Sequence, residues 1–223
     1  MTSDANTSPR PPLTKERILQ KAVDLADRAG LDALTMRRLG AELGVEAMSL
    51  YKHVANKDEI LDGIVELVVA EIELPADGFD WKETMKARAI SARQALSRHS
   101  WAVGLLEARG SKGPAALRYL DAILGNLRSN GFSIENAAHA FWLLDCYVYG
   151  QVVQETSTPI GTAEEIAAST DSLIEQVTTD QYPYLVEMAD HSLRSEYSFD
   201  NEFEFGLDLI LDALERTATA VAD

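Results

Sequence analysis

Apolar residues recur at three-and-four spacing along most of this chain, and the interruptions of that rhythm mark where helices start and stop. Thr14 is placed to cap a helix whose apolar positions Ile18, Ala22, Leu25 and Ala29 share one face, and Gly30 is placed to end it. A shorter pattern runs from Thr35 through Leu39 and Leu43 to Gly44, where a left-handed residue turns the chain sharply. A third helix, from about Glu46 to His53, buries Leu50 and part of Tyr51. Asn56, with Glu59 three residues on, makes an asparagine version of the capping box. It opens a long helix through Ile60, Ile64, Leu67 and Val68 that Pro75 and Gly78 close.

Beyond that break the periodicity predicts helices over 81–99, 114–130, 133–156, 164–177, 184–193 and 199–218, with "TSTPIGTAEE" as a loop. The helix from Ser133, with its run "AFWLLDCYVYGQVV", is too apolar around its circumference to face water on most sides. The last helix carries Phe203, Leu207, Ile210, Leu211 and Leu214, and Phe205 and Leu209 widen that stripe. A four-helix interface between two copies of the chain would use both surplus faces. Its candidate residues are Phe141, Val148, Val152, Phe203, Leu207, Ile210, Leu211 and Leu214, with Gly150 and Gly206 allowing close backbone approach. Burial within one larger core is the other reading of the same pattern. The fold class is all-α: a disordered arm over 1–13, a three-helix unit over 14–58, and a larger helical unit over 59–223.

Composition agrees with a helical globule, since 46% of the 223 residues are hydrophobic while glycine and proline number only 13 and 7. The single cysteine, Cys146, excludes an internal disulfide and a multi-cysteine metal cage. The N-terminal "MTSDANTSPRPP" lacks the apolar core of a signal peptide, and no segment has the unbroken apolar length of a membrane span, so a cytoplasmic location is expected, with no membrane partner. A net charge of −16 ordinarily argues against nucleic acid, but the average hides an asymmetry. Residues 1–57 hold nine basic groups against seven acidic ones, a net +2, and the remainder carries −18. Only the N-terminal part tolerates a polyanion.

Two short helices joined by a tight turn and braced by a preceding helix form the helix-turn-helix arrangement, in which the second helix enters a major groove. On the third helix Ala47, Met48, Ser49, Lys52 and His53 project away from Leu50, and Lys57 sits in the first turn of the next, where backbone N–H groups also attract a phosphate. The order and spacing of "LTMRRLGAELGV", "LYKHV" and "NKDEIL" resemble the TetR family of bacterial repressors from about Leu13 to Val69. "FEFGLDLILDALE" is similar, over fewer diagnostic residues, to the end of tetracycline-repressor-type C-terminal domains. The resemblance implies that Arg37, Ala47, Ser49, Tyr51, Lys52 and His53 face a double-stranded operator, with Lys57 and the Thr35 hydroxyl on phosphates. Arg37 and Lys52 are then candidates for guanine edges, Ala47 and Met48 for a thymine methyl, and Tyr51 and His53 for backbone phosphate. Tyr51 also reads as half core, and His53 as a solvated helix end. Arg38 reads as a surface residue paired with a nearby acid. The tetracycline repressor has Gln and Pro where this chain has Ala47 and Met48. Losing that amide removes a bidentate adenine contact worth roughly 1–3 kcal/mol, so its operator sequence does not carry over.

The resemblance further implies that 14–58 is a three-helix helix-turn-helix DNA-binding domain and 59–223 a helical ligand-binding and dimerisation domain, with a homodimer on a pseudo-palindrome and an unidentified small-molecule effector. Met85, Trp101, Leu105, Tyr119, Trp142, Asp145 and Tyr149 supply the aromatic and apolar lining of such a pocket, though a stripe of this kind also reads as plain core. Effector binding would favour a dimer with wrongly spaced recognition helices, the helix from Asn56 acting as lever. An enzyme finds little support, because "RGSKGP" lacks the spacing of a phosphate loop and follows a helical pattern. The four histidines form no i, i+4 pair, so no metal or other cofactor is implied, although His99 or His139 with Asp145 is a conceivable hold on a chelated ligand. A ligand-independent scaffold would keep the helices without needing exposed Arg37, Ser49 and Lys52.

Overall fold

The computed structural model describes residues 12–75, 80–110, 112–157, 181–194 and 198–218, and among them every regular element is helical. Helix α1 (Lys15–Ala29) starts where the Thr14 hydroxyl accepts from the Arg17 amide at 3.2 Å and ends at Gly30. Its buried face is wider than the four-position stripe, taking in Leu19, Val23 and Ala26, while Ala29 lies outside it and is exposed. After one 3-10 turn at Leu31–Ala33, α2 (Met36–Leu43) is capped by the Thr35 hydroxyl, which accepts from the Arg38 amide. Gly44 ends it in the left-handed conformation, φ 66° and ψ 39°. Helix α3 (Ala47–Leu50) is a single α-turn, shorter than the two-turn rod expected over 46–53. Residues 51–53 continue it as tighter turns, with the His53 amide donating to Leu50 at 2.9 Å. Leu34, Leu39, Leu50 and Ile60 close with Ile18 and Leu25 into the N-terminal core.

Helix α4 (Lys57–Ala70) opens on the expected cap, the Glu59 amide donating to Asn56 Oδ1 at 2.9 Å. The Glu59 carboxylate reaches back to the Ala55 amide at 2.6 Å rather than to that of Asn56, and it also pairs with Lys15. The Ala55 bond, then Lys15, holds that carboxyl below its usual range. Asn56→Ala removes one of these two reciprocal bonds and is expected to lower stability by about 1 kcal/mol, read as a fall in Tm of roughly 2–4 °C. The helix ends at Ala70, five residues before Pro75, so proline is not its terminator. The Glu71 and Ile72 amides turn back on Val68 and Val69.

The remaining helices are α5 (Trp81–Arg98), α6 (Trp101–Arg109), α7 (Pro114–Ser129), α8 (Ile134–Ser157), α9 (Pro183–Arg194) and α10 (Phe199–Ala218). The helix predicted over 164–177, the arm over 1–11 and Gly78 lie outside the described residues. A second core begins at Val65, so the two cores divide within α4, just after Ile64. Met85, Ala89 and Leu96 of α5 pack there against Leu144, Val148 and Val152 of α8 and Phe203, Leu207 and Leu211 of α10.

This packing changes the expected dimer residues. Val148, Val152, Phe203, Leu207, Leu211 and Leu214 are buried inside the chain's own core, and Phe141 and Ile210 are half-buried. The reason is α5, which lies against both helices and is held to α10 by ion pairs of Lys82 with Asp212 and Glu215 and of Lys86 with Asp208. The apolar side chains left at the surface of α8 and α10 are instead Trp142, Leu143, Val153, Phe205 and Leu209. On α8, Leu143, Cys146, Gly150 and Val153 recur at alternating three and four spacing, one continuous exposed seam.

Candidate nucleic-acid interface and effector cavity

The helix-turn-helix surface is built by three local devices: the Thr35 cap, the left-handed Gly44, and the burial of Leu50, which turns the rest of α3 outward. Met48 is 73% exposed, Arg37, Tyr51, Lys52, His53 and Lys57 are exposed, and Ala47 and Ser49 are half-buried beside them. Tyr51, at 46%, stands out from the core rather than in it. The Thr35 hydroxyl accepts the Arg38 amide, and an accepting hydroxyl keeps its own O–H as a donor. Ion pairing sorts the basic residues of this domain. Lys15, Lys21 and Arg28 are held by Glu59, Asp24 and Glu42. Arg37, Arg38, Lys52 and Lys57 make no ion pair among the described residues. Arg38, expected beside an acid, is thus a fourth free cation, and only tertiary structure distinguishes it from Arg28.

A cavity of about 370 Å³ opens between the end of α4 and helices α6, α7 and α8. Tyr119, Phe141, Trp142, Asp145, Cys146 and Tyr149 line it, with Val69, Ile72, Leu106 and Glu107. Met85, Trp101 and Leu105, named from the sequence as lining, are not among these residues. Met85 is fully buried in the second core, Leu105 packs between the two cores, and the Trp101 indole N–H donates to Asp27 at 2.6 Å. Behind the wall lies Arg88, 1% exposed, whose Nη1 donates to the Tyr119 hydroxyl and to Asp145 Oδ1 at 2.8 Å. Burial pushes the Asp145 carboxyl above its ordinary range, against the pull of Arg88. Burial also raises the Tyr119 phenol to about 12, and burial and then the neighbouring Asp145 raise that of Tyr149. His99 is turned away from Asp145, its ring nitrogens meeting Asp27 at 2.8 Å and Glu71 at 3.3 Å, and exposed His139 faces Glu135. Among the described residues no group of three or more His, Cys, Asp and Glu is placed to hold a metal ion.

Both halves of the chain match known families. Residues 18–64 match bacterial regulatory proteins of the tetR family, and residues 74–218 match the tetracycline repressor-like C-terminal domain. The HTH-type transcriptional repressor DrrR1 of Streptomyces coeruleorubidus is 32% identical over 93% of this chain and 79% of its own length. The class C tetracycline repressor protein of Escherichia coli is 30% identical over 95% of this chain and 94% of its own. Among solved structures, ActR of Streptomyces coelicolor in complex with actinorhodin superposes with a TM-score of 0.78 at 32% identity, covering 93% of this chain and 99% of that one.

The chain belongs to the TetR family of transcriptional regulators.

In this TetR-family regulator α4 joins the two regions described above. Lys57 stands at its first residue beside the recognition helix, and Val69, near its last, lines the cavity. Arg109 at the end of α6 bonds Asp62 at 2.9 Å and Asp58 at 3.0 Å. The Glu66 carboxylate accepts from the Ala115 amide at 2.7 Å, capping α7 in place of a residue of α7's own. A second tie runs to α1, since Asp27 holds both His99 and Trp101. Sequence periodicity reveals none of these cross-links, because each joins residues dozens of positions apart.

Proposed function

We propose that this regulator is a repressor that binds a two-fold symmetric operator as a homodimer and is released when a small molecule enters the cavity between α6, α7 and α8. The observation that carries the reading is the set of free cations. Arg37, Arg38, Lys52 and Lys57 surround the outward face of α3 in a chain whose net charge is −16. A scaffold has no need of unpaired cations gathered around one short helix. The exposed seam of α8 and the Phe205–Leu209 face of α10 supply the surface for a second copy. The solved ActR–actinorhodin complex, and that of an Acinetobacter baumannii TetR variant with minocycline, support an effector inside this fold. Among the described residues no helix is long and apolar enough to cross a membrane, and we place the protein in the cytoplasm with the DNA it binds.

In this mechanism the lever is α4. An effector pressing on Val69, Leu106 and Tyr149 shifts the α6 end, and the Arg109 pairs with Asp58 and Asp62 pass that shift to the first two turns of α4. Release needs only a differential affinity of the effector for the two dimer geometries.

The test is a mobility shift on the DNA upstream of the protein's own gene. Lys57→Ala removes one phosphate contact per protomer, so the slope of log affinity against log salt is expected to fall by about two for the dimer. Lys52→Ala is expected to cost roughly 1–3 kcal/mol per half-site, as relaxed discrimination at one base pair. A wild-type protein that shifts none of this DNA at low salt, or salt slopes identical with and without Lys57, would sink the reading.

A further inference from the structure

The cavity has a sign. Among the described residues that line it the carboxylic acids are Glu107 and Asp145, and none is a lysine, arginine or histidine. The cation bonded to this lining, Arg88, is sealed behind Tyr119 and Asp145 and is engaged by both. Arg88 therefore offsets Asp145, lies 5.5 Å over the Tyr119 ring, and makes no ion pair with Glu107. Glu107, exposed at the rim, has no ion-pair partner among the described residues. Tyr119, Phe141, Trp142 and Tyr149 make the aromatic part of the wall, beside aliphatic Val69, Ile72, Leu106 and Leu120, with the Trp142 indole 66% exposed at the opening. Ring faces carry the negative end of the aromatic quadrupole, so these walls and the rim carboxylate favour the same charge.

From this we infer that the effector is a flat aromatic cation, bound with its rings between Trp142 and the tyrosines and its positive group towards Glu107 and Asp145. The inference rests on the cavity being the effector site, as proposed above. The local field agrees with it: Glu107 adds to the upward push on Asp145, and Asp145 and Glu107 both add to that on Tyr149, each after burial. An anionic ligand of the same shape meets Glu107 and finds no cation among the described residues that line the cavity. The strongly acidic body of the protein adds attraction at long range, which salt screens.

The experiment uses the full chain and two xanthene dyes of similar shape and opposite charge, rhodamine 6G as monocation and fluorescein as dianion at pH 8. Binding is followed by dye anisotropy and by quenching of tryptophan emission, with Trp142→Phe assigning the quenched residue. The wild-type protein is expected to bind rhodamine 6G saturably, one dye per chain, and at least about tenfold more tightly than fluorescein. Glu107→Lys, at an exposed position where folding is not at stake, is expected to shrink that preference several-fold. Equal or tighter binding of fluorescein overturns the proposal and points to Arg88 as the ligand's partner. A preference untouched by Glu107→Lys overturns it too, by assigning the dye to the general acidic surface, as does saturable binding of neither dye. The mobility shift measured without dye reports separately on the repressor reading. Its loss alongside an intact dye preference would remove that reading and leave a cation-binding cavity.

Discussion

Replacing Gly40 by alanine is expected to weaken operator binding on the order of 100-fold while leaving the C-terminal domain folded. Gly40 is buried on α2, and a Cβ there would stand 2.9 Å from the Val45 carbonyl oxygen, 3.2 Å from the Ala47 amide nitrogen and 3.3 Å from the Ala47 Cα. All three are backbone atoms of the turn and of the first residue of α3. No flexible side chain can swing aside, so α2 and α3 have to part. Alanine's higher helix propensity returns roughly 1 kcal/mol, against an overpacking cost of about 1–3 kcal/mol, so net stability falls modestly. Function falls further, because the displaced element is the one proposed to meet the bases. Misplacing it forfeits contacts worth roughly 1–3 kcal/mol each, in both half-sites. Gly125→Ala is the matched control. That glycine is also helical, its added Cβ meets nothing within 4 Å, and the substitution should raise Tm slightly without touching DNA affinity. Wild-type operator affinity in Gly40→Ala would show that the two helices can separate without consequence.

What the sequence reveals and what it hides follow from range. Thr14, Thr35 and Asn56 accept from amides three residues on, and Gly44 donates its own amide to carbonyls within four residues, so the N-terminal helices and their turn are legible letter by letter. The same is true of Leu50, whose neighbours then have to face out. The cavity is legible only in part. Tyr119, Trp142, Asp145 and Tyr149 line it, but Met85 has the same helical spacing and points into the core, and periodicity cannot tell the two directions apart. Stripe width misleads in a related way on α8 and α10, where the most regular apolar positions are those buried within the chain. The flanking Leu143, Val153, Phe205 and Leu209 are what a second copy would meet. Arg88 was invisible, since an arginine inside a helical pattern reads as a surface residue. Its one sequence-level hint is an acid, Asp145, on an otherwise apolar stretch of α8, which requires a partner if buried.

Arg88→Met is the second large expected effect, a loss of about 3–5 kcal/mol at neutral pH. The guanidinium is 1% exposed and Asp145 7%, so deleting the cation leaves a carboxylate inside the core with no countercharge. Arg88 itself is imperfectly satisfied, since its Nε and Nη2 have no hydrogen-bond partner. The pair is therefore a weak source of stability even though breaking it is costly. Arg88→Met combined with Asp145→Leu should recover most or all of the loss, and a double-mutant cycle by urea unfolding measures the coupling. The pH dependence has a fixed sign. Asp145 already ionises above its ordinary value of 3.8, because burial outweighs Arg88. Without Arg88 its folded-state value rises further, while the unfolded value stays in the ordinary aspartate range. A raised folded value means that this group's contribution is fully present below that range and is lost as pH rises through the folded value. The deficit of Arg88→Met against wild type should accordingly be small near pH 3.8, grow as pH rises, and level off once the buried carboxyl has ionised. A deficit of constant size from acid to neutral pH would show that lost packing, rather than an orphaned charge, is what the substitution exposes.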